Sequence, residues 1–262
     1  MEMAGGSPVR FAGRFCGPPG DANGGFACGT LAALLDGAAE VTLRRPVPLE
    51  RPLLLRDGNG IALLEDEGRL CAEARAPATP VGQRVPRPPT LAEARAAAGR
   101  GAYYDDPVFP GCFVCGPARA PGDGLRIFPG PVPGREVWAA PWSPNPSIGG
   151  PDGLVPDEVV WAALDCPGGV AVAEARATPA EGAALLGRMT ARLAGPVRIG
   201  TAHRVVAWLL ERDGRKHTAG SALFGPDDQL LAVARAVWIT VPRAAPPVAP
   251  TAVDITTGGG SA

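Results

Sequence analysis

Short apolar segments separated by Gly-, Pro- and Asp-rich turns run through most of this 262-residue chain, and they fall into two stretches with the same order of elements. In the first stretch, residues 9–16 can form a strand, and Gly17-Pro18-Pro19-Gly20-Asp21 is a turn-rich loop. Residues 23–35 place Phe26, Leu31, Leu34 and Leu35 near helical spacing and stop at Asp36-Gly37, which predicts one apolar helix. Strands are expected over 40–45, 52–56, 61–65 and 70–76. Between the later ones, Asp57-Gly58-Asn59-Gly60 and Asp66-Glu67-Gly68 accept positive φ and read as hairpin turns, so the strands form an antiparallel meander.

The second stretch repeats the plan. Strands over 124–128 and 136–140 precede a long loop through Pro144 and Gly150, and an apolar helix starts near Pro156-Asp157-Glu158. Proline in the first turn and two carboxylates at the positive end of the helix dipole mark that start. Pro167 is expected to break or kink this helix. Strands over 186–193, 199–212, 217–224 and 230–241 follow, with Asp213-Gly214 and Pro226-Asp227-Asp228 as turns.

No polar stripe interrupts Val159-Val160-Trp161-Ala162-Ala163-Leu164, the pattern of a helix buried on nearly all faces. A strongly curved antiparallel sheet wrapped around such a helix satisfies it, which places the chain in the α+β class. Two wrapped halves pairing edge to edge would remove the exposed edges that each has alone. The expected boundaries are a first half over 1–78, a linker over 79–111, a second half over 112–243 and a tail over 244–262. The linker is rich in Pro and Arg, carries a short Ala-rich helix over 91–98 and is expected to cross the surface. The tail lacks the apolar content to offset chain entropy and is expected to be disordered.

Composition narrows the function. With 46% hydrophobic and 19% charged residues the chain is an ordinary globular protein, and its apolar runs are too short to span a bilayer. The first ten residues lack the apolar core of a secretory signal, so a cytoplasmic location is expected. Balanced charge, 25 basic against 26 acidic residues, and the absence of a basic cluster interleaved with aromatics argue against nucleic acid as a partner. Six irregularly spaced cysteines read as reduced thiols rather than a disulfide framework. Cys112 and Cys115 form one CxxC, but tetrahedral zinc would need two further ligands, and neither a second CxxC nor a His pair follows. The pair reads as packed thiols at a turn, and neither metal nor cofactor is expected.

Three passages carry a resemblance to the hot-dog superfamily, and in particular to acyl-CoA thioesterases of the phenylacetate-pathway type. Asn23-Gly24-Gly25 resembles that family's His/Asn-Gly-Gly helix start, Leu164-Asp165 its acidic helix position, and Cys112 to Gly116 followed by Gly124-Leu125-Arg126 its Cys-x-x-Cys-Gly…Gly-Leu segment. The resemblance spans roughly 9–241, the linker excepted. It implies a double hot-dog, two curved antiparallel sheets each wrapped around a central helix, with an acyl-CoA or related thioester as partner, and it allows a homodimer of two such chains.

The resemblance also implies roles. A thioester hydrolase needs a water or carboxylate to attack the carbonyl and donors for the oxyanion that forms. Gly24 and Gly25, at a helix start with unpaired amides, would supply oxyanion or substrate-binding donors. Asn23 would bind the thioester oxygen or position water, or else simply cap the helix. Asp165 would be the general base or the nucleophile, unless it only accepts backbone hydrogen bonds near Pro167. One surviving site between the halves is expected, because the second half opens its helix with Asp152-Gly153-Leu154-Val155, and Asp36 of the first half reads as a helix terminator. His203 and His217, the two histidines of the chain, fall in strands and read as packing residues. Ser147 and Ser221 lack a nucleophile elbow. The alternative is a non-catalytic hot-dog protein that binds an acyl ligand or serves as an assembly subunit.

Overall fold

The computed structural model describes residues 6–82, 84–175 and 182–242, so the predicted tail over 244–262 lies outside the described residues. The first half begins with β1 (Ser7–Arg10), shorter than the predicted strand because Gly13–Phe15 turns into a 3-10 helix. Helix α1 (Gly24–Ala32) follows, then the meander β2 (Ala39–Leu43), β3 (Pro52–Gly58), β4 (Ile61–Asp66) and β5 (Arg69–Arg75). Asn59-Gly60 and Glu67-Gly68 turn the two hairpins with positive φ at all four residues, the backbone that matches strand twist.

Helix α2 (Leu91–Ala97) starts in a capping box, Thr90 receiving the Glu93 amide while the Glu93 carboxylate receives the Thr90 amide. It buries Ala94 and Ala97 in a small separate core with Val137, Ala139 and Trp208. The linker thus packs through one face of α2, while most of its other described residues are exposed or half-buried. The second half contains β6 (Gly130–Pro131), β7 (Trp138–Trp142), α3 (Asp157–Glu174), β8 (Ala183–Leu193), β9 (His203–Asp213), β10 (Lys216–Phe224) and β11 (Leu230–Val241).

Two expectations fail here. Residues 124–128 are not a named strand: the Leu125 and Ile127 amides donate to the carbonyls of Phe113 and Val114, so the segment lies against the Cys112 loop. The chain before His203 is also not strand, because Ile199 and Gly200 donate to Gly153 and Pro144 and brace the loops ahead of α3.

All neighbouring strands are antiparallel, in the order β1-β3-β4-β5-β2-β8-β11-β10-β9-β7-β6. Where two sheets were expected, hydrogen bonding is continuous in one eleven-stranded sheet. The join is β2 on β8, with Ala39 opposite Ala191 and Val41 opposite Met189. Helix α1 packs on β2, β4 and β5, and α3 on β8, β9, β10 and β11. Both are buried through most of their length, as the absence of a polar stripe predicts.

The helices meet each other through glycine. A methyl group on Gly25 would stand 2.4 Å from Asp165 Cβ, and one on Gly29 would stand 2.5 Å from Glu158 Cα. The spacing Gly25-x-x-x-Gly29 puts both on one face of α1, so its backbone lies directly on α3. Pro167 does not end α3, which continues to Glu174. Its ring removes the donor for the Ala163 carbonyl, and Ser221 Oγ donates to the adjacent Leu164 carbonyl at 2.6 Å. Among the described residues no helix is long and apolar enough to cross a membrane.

Candidate functional site

The site grows from the start of α1. Asn23 is held in front of the helix by a small ladder: its amide donates to the Phe15 carbonyl, and the Ala22 amide donates to Val47. Its side chain is then used twice. Oδ1 accepts from the Phe26 amide at 2.9 Å, capping the helix, and Nδ2 donates to Asp165 Oδ2 at 3.0 Å. The Gly25 amide donates to the same Oδ2 at 2.9 Å. Only a glycine at 25 allows this, because any side chain there would occupy the place of the Asp165 Cβ.

The structure thus brings the four predicted residues together. Asn23 is both a cap and a donor to Asp165. Gly25 gives its amide to Asp165. Gly24, the first residue of the helix, lines the adjoining cavity, and its amide precedes the first intrahelical bond. The partners of Asp165 come from α1, not from backbone near Pro167.

Asp165 is buried, and its Oδ1 meets no hydrogen-bond donor among the described residues. Burial pushes the carboxyl up to about 7, against the pull of the Gly25 amide; the nearby Cys112 adds to the rise and the Asn23 amide resists it. A buried carboxylate with one oxygen unpaired costs several kcal/mol by the usual scale of charge burial. Stability alone does not explain its presence.

The two helix starts are built alike but are not equivalent. The Val155 amide donates to Val197 just before α3, as the Ala22 amide does to Val47 before α1. The residue in the cap position is Asn23 in the first half and Pro156 in the second, which has no side-chain cap. The ninth residue is Ala32 in α1 and Asp165 in α3. The positions equivalent to Asn23 and Asp165 are thus held by Pro156 and Ala32, neither of which can move a proton.

A third element closes the site. The Gly116 amide donates to the Cys112 carbonyl at 2.9 Å in a turn so tight that a methyl group on Gly116 would lie 2.4 Å from that oxygen. Phe113 anchors the loop: its amide donates to Cys16, and its ring meets Phe15 and Phe26 edge-on at 5.0 and 6.2 Å. Arg119 ties it further, donating to the carbonyls of Gly111 and Arg14. The loop sets Cys112 and Cys115 against Cys166 of α3, with the Cys112 and Cys166 sulfurs 3.5 Å apart. Thiol hydrogen bonds from Cys115 and Cys166 hold Cys112 below the usual thiol range and raise the two donors. Sequence reading found no further ligand for the CxxC. Cys166 joins it only through the packing of α3, and its place beside Asp165 was the one available signal.

Asn23, Gly24, Asp165 and the three cysteines line a cavity of about 1490 Å³. Its walls are mostly apolar, among them Leu43, Val47, Phe109, Leu186 and Trp238, while Arg44 and Arg45 also line it and are exposed to solvent. Phe109 and Tyr103 belong to the predicted linker, so that segment contributes to the wall. Gly169 makes room for Trp238, whose ring would lie 2.8 Å from a methyl group there. His203 and His217 are buried in β9 and β10 and are not among the lining residues. Ser221 is committed to the Leu164 carbonyl.

No family model and no curated protein matches the sequence. Solved structures match the fold. A structure assigned as a thioesterase from Novosphingobium aromaticivorans shares 14% identity at a TM-score of 0.57, over 90% of this chain and 96% of that one. One assigned as thioesterase II from Thermobifida fusca shares 15% at 0.59, over 92% and 95%. The tesB protein of Mycobacterium avium subsp. paratuberculosis shares 12% at 0.55, over 92% and 96%. At such identity the likeness is one of architecture, and it extends nearly end to end in each pair. The chain therefore shares its overall fold with these thioesterase structures.

Proposed function

We propose that the chain is a double hot-dog, with halves over 1–78 and 112–243 and a connecting segment over 79–111, that hydrolyses an acyl-CoA or acyl-carrier thioester at one site between the halves. The observation that carries this reading is the Asp165 carboxylate, held through Oδ2 by Asn23 and Gly25 while Oδ1 has no donor, on the wall of a largely apolar cavity. In this mechanism Oδ1 takes a proton from a water as its oxygen attacks the thioester carbonyl. The oxyanion forms against the Gly24 amide at the helix start; as the carbonyl reforms, the thiolate leaves and takes the proton held on Oδ1, which restores the Asp165 carboxylate. Direct attack by Asp165, giving an anhydride that water then opens, uses the same geometry. Asn23 and Gly25 are positioning groups here, because the donors they would offer an oxyanion are spent on Asp165.

A panel of acyl-CoAs, with release of free thiol followed, tests the reading. Asp165→Asn should lower turnover by about 10²- to 10⁴-fold, the usual weight of a general base. Asn23→Ala should lower it less, by roughly tenfold, because Gly25 still holds the carboxylate. Wild-type turnover in both variants would sink the site, and saturable acyl-CoA binding without any turnover would favour a non-catalytic acyl binder.

A further inference from the structure

We infer that Cys112, Cys115 and Cys166 form a binding site for a soft divalent metal ion, zinc first among them. The three sulfurs lie within 4.8 Å of one another, and Cys112 and Cys166 are 3.5 Å apart. Zinc–thiolate bonds of about 2.3 Å at tetrahedral angles require sulfur separations of roughly 3.8 Å, so the ion fits with small side-chain adjustments. All three cysteines are free thiols, and they come from two rigid supports: a turn closed by Gly116 and the centre of α3.

Two polar groups stand beside the sulfurs. Asn23 Nδ2 lies 3.6 Å from Cys166 Sγ, and the Tyr103 hydroxyl lies 3.9 Å from Cys115 Sγ. Both can donate to a sulfur that carries charge, the usual support around a metal-bound thiolate. The cavity that the cysteines line provides an entry path and room for a fourth ligand from solvent. Three protein ligands with one open position are the arrangement of a site that can also bind an exogenous ligand, in contrast to a closed structural site with four protein ligands. A CxxC alone would not hold the ion, and the third thiol supplied by the helix changes that balance.

The test uses the full chain, reduced and stripped of metal, titrated with cobalt(II) and with zinc(II). One equivalent of cobalt should bind with a sulfur-to-cobalt charge-transfer band and the visible bands of tetrahedral cobalt, and zinc should displace it. X-ray absorption on the zinc-loaded wild-type chain should show three sulfur neighbours at about 2.3 Å and one lighter atom. Cys112→Ser and Cys166→Ser should each weaken binding at least a hundredfold, and Cys71→Ala, in β5, should leave it unchanged. Failure to bind one equivalent, a zinc shell of oxygen and nitrogen only, or unaltered affinity in Cys166→Ser would overturn the site. The absorption measurement needs no variant, so a misfolded mutant does not blunt it. Metal affinity and thioester hydrolysis are read separately, and either can fail without the other.

Discussion

Asn23 Nδ2 and Asp165 Oδ2 lie 3.0 Å apart although 142 positions separate the two residues in the chain. The contact exists because Gly25 and Gly29 let α1 rest on the backbone of α3, and because the cap that starts α1 leaves the asparagine amide pointing at the neighbouring helix. The same asparagine thus satisfies a helix terminus and steers a buried acid.

If Asp165 serves reaction and not folding, activity and stability should move in opposite directions. Asp165→Asn keeps an oxygen to accept from Asn23 and Gly25 but removes the buried charge. Denaturant unfolding at pH 8 should show it unchanged or more stable, by about 0.5–2 kcal/mol, while turnover collapses.

The glycine seam should be intolerant of a single methyl group. In Gly29→Ala the added carbon would sit 2.5 Å from Glu158 Cα, backbone that cannot swing aside. A loss of about 1–3 kcal/mol is expected from urea unfolding, together with reduced turnover as Asn23 moves off Asp165. Gly111→Ala, with nothing within 4 Å of the new carbon, is the control and should resemble wild type.

Charge on the cavity lining should report the carrier on the substrate. Arg45 is exposed there and suits the phosphates of coenzyme A. Arg45→Glu should raise KM for acyl-CoA about tenfold or more and leave KM for the matching N-acetylcysteamine thioester, which has no phosphate, within about twofold. Equal effects on both thioesters would remove Arg45 from substrate recognition.

Acid should weaken the second half through His203. This residue is buried beside Trp142, at 6.1 Å between ring centres, and burial holds its imidazole below the ordinary value of 6.5. As pH falls below 6.5 the unfolded chain takes up a proton that the folded chain resists, so stability is lost until the folded-state value is passed. Asp165, raised to about 7, works in the opposite direction over the same range, so the comparison belongs in an Asp165→Asn background: there the urea midpoint should drop between pH 7 and pH 5, and adding His203→Gln should flatten that slope.

Local pattern made much of this legible. Asn23-Gly24-Gly25 reads as a helix start, Asp165 as a carboxyl among apolar neighbours, and the paired turns of β3 to β5 as hairpins, because each depends on residues close in sequence. What escaped depends on packing. Residues 124–128 have strand-like composition but bond to the Cys112 loop, and Pro167 carries a helix-breaking signal that tertiary contacts override. Cys166 gains its thiol neighbours only when α3 meets a loop more than fifty positions away. Gly25 and Gly29, the cause of the helix contact, stand in plain view, but glycine four apart has many uses and only the fold selects this one.

The join of β2 to β8, with α1 seated on α3 behind it, has a kinetic consequence. When a reactive centre is shared between separate subunits, dilution dissolves it, and turnover per molecule depends on how much protein is present. Here one continuous chain carries both Asn23 and Asp165, so their encounter is intramolecular and has no dissociation constant.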